Sequence, residues 1–222
     1  MDQDRLLYPY IRNYLASLQR PREGVLGELE RQARAENFPI SSADVANLLE
    51  FLCKLRRPQK ILEIGTCIGF SALLMASCCL DAEITTIERN PVMVQAARKN
   101  FQEFSVPQIS LLEGDAAVFL PHLEGPFDLI YLDGAKGQYP AFFPHCLRLL
   151  APEGLLIADD ILFRGYVASG IPDVRRNKTI VTRLDRFLRI LRENKALQTV
   201  FLPLGDGVSV SWKRREDHAE KT

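Results

Sequence analysis

The groups in this chain that can do chemistry are a glycine turn, a set of acids at the ends of apolar runs, and one lysine beside them. The turn lies in Lys60-Ile-Leu-Glu-Ile-Gly-Thr-Cys-Ile-Gly-Phe-Ser71, an apolar strand carrying Glu63 that breaks at Gly65 and Gly69. A dinucleotide fingerprint, G-x-G-x-x-G, brings the backbone against a pyrophosphate at a helix N-terminus. Here Cys67 stands where the second glycine belongs, and Glu63 lies two residues before Gly65. Two glycines still permit close backbone approach, but a carboxylate at this mouth suits a ligand with a cationic end. S-adenosylmethionine, with an ammonium and a sulfonium, meets that description; a nicotinamide dinucleotide, with its phosphates, does not. A plain tight turn between strand and helix is the bland alternative.

Ligands of open α/β sheets bind outside the carboxyl ends of the strands, and further acids fall at such ends. Glu88 closes the run Thr86-Ile-Glu88, 23 residues after Gly65. A carboxylate there can accept two hydrogen bonds from a ribose diol, or it caps a helix. Asp115, in Glu113-Gly-Asp-Ala116, either meets an adenine amino group or serves only as the N-cap of the next helix. Asp133 follows one apolar run, and Asp159 with Asp160 follows another. Three carboxylates on neighbouring strand ends, with no histidine or thiol among them, suit Mg²⁺ or another hard divalent cation; singly, such aspartates more often cap helices. Lys136 lies three residues after Asp133. Beside a cation its pKa would fall, making it a general base or a support for a substrate oxyanion; a surface ion pair is the plain reading.

The elements that must position these groups alternate regularly. Apolar strands are expected near Lys60–Ile64, Glu83–Ile87, Ile109–Leu112, Phe127–Leu132 and Leu155–Ala158. Helices are expected near Phe70–Cys78, Pro91–Phe104, Ala116–Leu120 and Pro140–Leu149. Continuous apolar strands separated by helices predict a parallel sheet covered on both faces. Three amphipathic helices precede them: Leu6–Leu18, Glu23–Glu36, and one starting at Ser41-Ser-Ala-Asp44 and ending near Leu55. A helix at Lys178–Asn194 then leads into Gln198–Leu204 and Val208–Lys213, joined by Gly205-Asp-Gly207, which reads as an antiparallel hairpin. The expected fold is a doubly wound, mostly parallel, seven-stranded α/β sheet ending in that hairpin. It divides into N-terminal helices (1–57), a catalytic core (58–213) and a charged tail (214–222).

Composition narrows the classes further. The 222 residues are 47% hydrophobic, enough for one domain with a full core, and carry 28 basic and 28 acidic side chains. Overall charge therefore points to no polyanionic partner, and any basic surface must be local. No apolar run is long enough to cross a membrane, and the start has no apolar leader segment. Five cysteines without a C-x-x-C pair predict reduced, mostly buried thiols in a cytoplasmic protein. Three histidines make a histidine metal cage improbable.

Several segments together resemble the cation-dependent O-methyltransferases, the family of the catechol and caffeoyl-CoA enzymes. These are I-L-E-I-G-T-x-I-G-F-S at 61–71, I-E-R-N at 87–90, D-G-A-K-G-Q-Y at 133–139 and the Asp pair at 159–160. Lys136-Gly-Gln-Tyr139, Ile161-Leu-Phe-Arg-Gly165 and Gly205-Asp-Gly207 are most similar to the bacterial tRNA 5-hydroxyuridine methyltransferase branch. The resemblance implies that Ser41, Glu63, Gly65, Ser71, Glu88, Asp115, Ala116 and Asp133 contact S-adenosylmethionine. It further implies that Asp133, Asp159 and Asp160 hold the metal, that Lys136 is the base, and that the protein is a homodimer. One departure matters: the family usually has Asp-Asn where this chain has Asp159-Asp160. Three ionised aspartates around a divalent cation leave a net negative site, which favours the metal and disfavours an anionic substrate oxygen unless Asp160 stays protonated or outside the ligand set.

The acceptor must be sought elsewhere. Between Arg164 and Arg192 stand eight basic residues and two acids, a net +6. A local basic surface beside a strand-end site is what an RNA substrate requires, with Arg164, Arg175 and Arg176 the candidate contacts; an ordinary solvated helix face is the alternative. The leading expectation is therefore methylation of 5-hydroxyuridine in tRNA to 5-methoxyuridine. A small catechol or hydroxycinnamoyl thioester is the second acceptor class, and a nicotinamide-dependent oxidoreductase the remote one.

Overall fold

A computed structural model describes residues 8–171 and 174–215. In chain order the elements are α1 (Pro9–Ser17), α2 (Gly24–Ala35), α3 (Ala43–Arg56), β1 (Lys60–Ile64), α4 (Phe70–Cys78), β2 (Glu83–Glu88), α5 (Pro91–Glu103), β3 (Ile109–Glu113) and α6 (Ala116–Phe119). They continue with β4 (Phe127–Leu132), α7 (Tyr139–Leu149), β5 (Leu150–Ala158), α8 (Tyr166–Ser169), α9 (Lys178–Glu193), β6 (Leu197–Leu202) and β7 (Val208–Lys213), with short 3₁₀ turns at Lys136–Gln138 and Arg175–Asn177. One sheet holds all seven of these strands in the order β3-β2-β1-β4-β5-β7-β6. The first five run parallel, and β7 pairs antiparallel with both β5 and β6. Leu6, Leu7 and the tail beyond Arg215, both assigned from the sequence, lie outside the described residues.

Strand alternation builds two cores from one sheet, because successive side chains point to opposite faces. Leu62, Ile64, Ile130 and Leu132 face α6, α7 and α9. Ile61, Leu129, Tyr131 and Ile157 face α3 and α4. On the first face Phe187 of α9 is fully buried, with edge-to-face contacts to Tyr139 at 5.4 Å and Phe143 at 6.1 Å. Truncating a phenylalanine so placed costs about 3–5 kcal/mol. The helix buries Val181, Leu184, Phe187 and Leu191, with Ile180 and Leu188 half-buried and packed against the same core. Arg183, Arg186, Arg189 and Arg192 all face solvent.

Two differences from the expected elements have local causes. β5 begins at Leu150, five residues early, because Leu150 pairs with Phe127 ahead of a register shift. The segment Pro152-Glu-Gly154, with Glu153 at φ +64°, lies inside that irregular strand. The four-residue α8 is bounded by Gly165 and Gly170, both left-handed, and is too short to show a period.

The N-terminal helices are tied to the core through one guanidinium. Arg22 donates to Glu30 at 2.7 Å, to Asn47 at 2.8 Å and to Glu50 at 3.0 Å, and lies over the Phe70 ring at 5.9 Å. It thus joins α2, α3 and the first residue of α4. Ser42 caps α3, accepting from the Val45 N–H, which fixes Ser41 against the sheet. No described helix is long and apolar enough to cross a membrane.

Candidate active site

The strand order reverses between β1 and β4, so the loops after these strands diverge and leave a crevice, the usual ligand position in such sheets. A cavity of about 1060 Å³ opens there. The glycine turn forms one wall. Gly65, at φ +107°, approaches the neighbouring strand so closely that a Cβ would lie 2.3 Å from the Asp133 carbonyl oxygen. Gly69, at φ +89°, would meet the Phe101 ring at 2.5 Å. Cys67 takes the left-handed conformation too, at φ +49°, where a dinucleotide turn would use glycine. Its N–H donates to Glu88 Oε2 at 2.9 Å, while Glu88 Oε1 accepts from the Arg89 and Asn90 N–H groups. Asp115 is the N-cap of α6, accepting from Ala117 N–H at 2.9 Å, and also lines the cavity.

Glu63 is the correction in this half. The sequence pattern aims it at the ligand, but its side chain is completely buried and does not line the cavity. Strand register puts Glu63 between Thr86 on β2 and Tyr131 on β4, on the face covered by α4. Its carboxylate accepts from Ser71 Oγ and Thr86 Oγ1, each at 2.5 Å. Burial pushes its pKa up to about 7 against the lowering effect of those two hydroxyls. Glu63 is therefore linked to the cavity through Ser71, which does line it.

The opposite wall, at the tips of β4 and β5, is acidic. Asp133, Asp159, Asp160 and Asp206 all line it. Burial raises Asp133 to about 7, helped by Asp160 and Glu63 and opposed by Lys136; it raises Asp159 well above the carboxylate range, with Asp133 and Asp160 adding to the effect. Lys136 Nζ lies 2.6 Å from Asp160 Oδ2 and 3.9 Å from Asp133 Oδ1. Burial alone would lower the lysine, but the surrounding acids outweigh it and raise its pKa. As placed, Lys136 is an ammonium, the reverse of the lowered pKa expected of a base; a base role needs the acids neutralised first. Beneath them Tyr131, fully buried, shares a hydrogen bond with Ser41 Oγ at 2.8 Å and donates to Asp159 Oδ2 at 3.0 Å. Tyr139 donates to the main-chain oxygens of Leu132 and Asp159, pinning the two strand tips together.

The structure brings Ser41, Gly65, Ser71, Glu88, Asp115, Ala116, Asp133, Lys136, Asp159, Asp160 and Arg164 into this one cavity. Arg175 is exposed and outside it, and the Arg176 side chain lies outside the described residues. Asp133, Asp159 and Asp160 share a wall, yet among the described residues no three His, Cys, Asp or Glu side chains are gathered as a ready metal-ligand set. Asp160 is turned to Lys136, and the two Asp159 oxygens take Tyr131 and the Asp160 N–H. The donor chemistry nonetheless fits a hard divalent cation: oxygen ligands only, Asp159 buried and Asp133 and Asp160 half-buried, and in excess over the one ammonium. Tyr131 and Asp206 were not legible as site residues, since a phenol within an apolar strand reads as core and the partner of Asp206 lies 42 residues away in the chain.

Comparison with known proteins agrees with this geometry. The O-methyltransferase family model matches residues 19–214. The chain is 30% identical over 169 residues to a catechol O-methyltransferase of Niastella koreensis, covering 73% of this chain and 75% of that protein. It is 28% identical over 196 residues to a caffeoyl-CoA O-methyltransferase of Stellaria longipes, covering 81% and 80%. The SAH-bound methyltransferase PaMTH1 of Podospora anserina superposes with a TM-score of 0.83 at 28% identity, over 94% of this chain and 97% of that one. The family match over most of the chain and the superposition agree: the chain belongs to the O-methyltransferase family and is a methyltransferase of the catechol and caffeoyl-CoA type that uses S-adenosylmethionine.

Proposed function

We propose that the enzyme methylates a hydroxyl on a planar ring carrying a second oxygen beside it, with a divalent cation held by Asp133, Asp159 and Asp160. The observation that carries this reading is the half-buried Asp133–Lys136–Asp160 cluster in the same cavity as the glycine turn. Bound there, a divalent cation supplies Lewis-acid stabilisation of the acceptor oxygen as its proton leaves. Ser71, Glu88 and Asp115 hold the cofactor, and Tyr131 and Tyr139 fix the strand tips. Lys136 Nζ offsets the oxygen's negative charge as an ammonium, or takes the hydroxyl proton once the acids are neutralised. The oxygen lone pair then forms the O–CH₃ bond while the methyl–sulfonium bond breaks, leaving S-adenosylhomocysteine. Much of the rate follows from holding the two reactants in line.

The acceptor class best supported by the relatives is a catechol or hydroxycinnamoyl thioester. A second reading, 5-hydroxyuridine in tRNA, presents the same ring pattern of a hydroxyl beside a carbonyl oxygen. It is favoured by one observation, the basic surface leading to the cavity. Arg164 stands at the mouth, Arg175 and Lys178 are exposed, and Arg183 of α9 donates to the Gly137 carbonyl beside Lys136. Purified protein with S-adenosylmethionine and Mg²⁺ is offered catechol, caffeoyl-CoA and tRNA bearing 5-hydroxyuridine. Turnover of a phenol alone supports the first class. Turnover of tRNA, falling steeply with salt and in an Arg175→Ala/Lys178→Ala variant, supports the second. Failure on all three overturns the proposal. We further take the enzyme to work as a cytoplasmic homodimer, which light scattering of the purified protein checks.

A further inference from the structure

The tip of the β6–β7 hairpin reaches back over the acceptor half of the cavity and holds the loop after β5. Ile161 N–H donates to the Gly207 carbonyl at 3.0 Å and Leu162 N–H to the Asp206 carbonyl at 2.9 Å. Arg164 N–H donates to Asp206 Oδ2 at 2.5 Å. The loop so held is conformationally costly, because Asp160, Phe163 and Arg164 all have positive φ, at +53°, +47° and +59°. Each such residue costs on the order of 1 kcal/mol and persists only where its surroundings impose it. The hairpin tip has no slack either. A Cβ on Gly207 would lie 2.6 Å from Leu162 Cγ, and one on Gly205 would lie 2.7 Å from Ser42 Oγ. The tip is therefore wedged between the α3 N-cap and the loop, and Asp206 supplies the side-chain acceptor on which the loop turns.

We propose that Asp206 is a positioning residue for acceptor recognition: by accepting from Arg164 N–H it keeps residues 160–165 in their left-handed path, so that Phe163 and Arg164 form the wall an acceptor meets. This rests on the reading that the acceptor occupies the β4–β5 half of the cavity. The cofactor half is built from other loops, so acceptor KM should move while cofactor affinity does not.

The test compares Asp206→Ala, which removes the acceptor atom, with Asp206→Asn, which keeps an oxygen for the Arg164 N–H. In Asp206→Ala the KM for the acceptor, catechol or hydroxylated tRNA, whichever the wild type turns over, is expected to rise about tenfold, the effect of losing one charge-assisted hydrogen bond, with kcat less affected. S-adenosylhomocysteine affinity by calorimetry is expected to stay within about twofold. Tryptic cleavage after Arg164 is expected to accelerate about tenfold as the loop opens more often. Asp206→Asn should restore KM and protease resistance. If Asp206→Ala lacks a cooperative melt, Asp206→Ser takes its place with the same readouts. The proposal is overturned by unchanged cleavage after Arg164, by a parallel loss of cofactor affinity, or by failure of the asparagine to rescue. Cleavage and cofactor binding need no acceptor, so a wild type inactive on every acceptor tried would count against the proposed function while these two measurements still judge Asp206.

Discussion

The two halves of the cavity treat their acids in opposite ways. At the tips of β1, β2 and β3 the protein itself supplies the donors: Ser71 and Thr86 for Glu63, three N–H groups for Glu88, and the Ala117 N–H for Asp115. At the tips of β4 and β5 four aspartates crowd round one ammonium, and burial lifts the pKa of Asp133, Asp159 and Asp206. The first half is organised before any ligand arrives, as differential transition-state binding demands of a positioning surface. The second has an excess of negative charge that only a cation or a proton relieves. Affinity for cofactor and capacity for chemistry should therefore separate cleanly under mutation.

The largest break in that separation is expected from removing divalent ions. Chelation should lower methyl transfer by on the order of a thousandfold, since a metal Lewis acid contributes several kcal/mol, and added Mg²⁺ should restore it. S-adenosylhomocysteine should still bind the chelated protein, measured by calorimetry; its loss would show that the two halves are one site. Lys136→Met is expected to lower turnover about 10²- to 10⁴-fold, the range for a proton-transfer group. Cofactor affinity should again change little, and turnover within tenfold of wild type would remove Lys136 from the mechanism.

Glu63 sharpens the comparison from the other side, through pH. Its folded pKa, about 7, lies above its ordinary 4.5, so the native state binds the proton more tightly than the unfolded chain. Stability from this group is present at low pH and is lost as pH rises from 4.5 through 7, by up to about 3 kcal/mol. Urea titrations of wild type and Glu63→Gln should thus diverge across that window; parallel curves would refute the assignment. Smaller still is Tyr131→Phe, which leaves Asp159 and Ser41 each short of a partner and should cost about 1–3 kcal/mol of stability. Arg189, exposed and paired with Asp185 along its own helix, marks the floor: Arg189→Ala should change stability by less than about 0.5 kcal/mol in thermal melts.

The strands and helices of the core were legible because each obeys a local rule. Lys60–Ile64, Phe70–Cys78, Phe127–Leu132 and Val208–Lys213 have the bounds their apolar runs and glycine breaks predict. The placement of polar residues at strand ends was legible for the same reason, since topology alone brings those ends together. What escaped depends on which way a side chain turns or on partners far apart in sequence. Glu63 shares its strand with cavity-lining Ile64, but strand alternation sends it under α4 to meet Thr86, 23 residues later. Tyr131 is indistinguishable from core until Ser41, 90 residues earlier, is seen against it. Asp206 looked like one residue of a tight turn, and only the fold shows that the turn closes on residues 161–164.

Arg22 carries a consequence for how the protein comes apart. One nearly buried guanidinium serves Glu30, Asn47 and Glu50 and covers Phe70, at the start of the helix that bears Ser71. Breaking it leaves Glu30 paired only with Arg34 of its own helix and Glu50 only with Lys54 of its own helix, so the tie that couples α2, α3 and the start of α4 is lost as one unit. Unfolding should be a single transition in which α2, α3 and the glycine turn are lost together. The N-terminal segment is then not a cassette that can be exchanged between such enzymes: a chimera would have to bring its own match for Arg22, or its cofactor wall would soften before the sheet does.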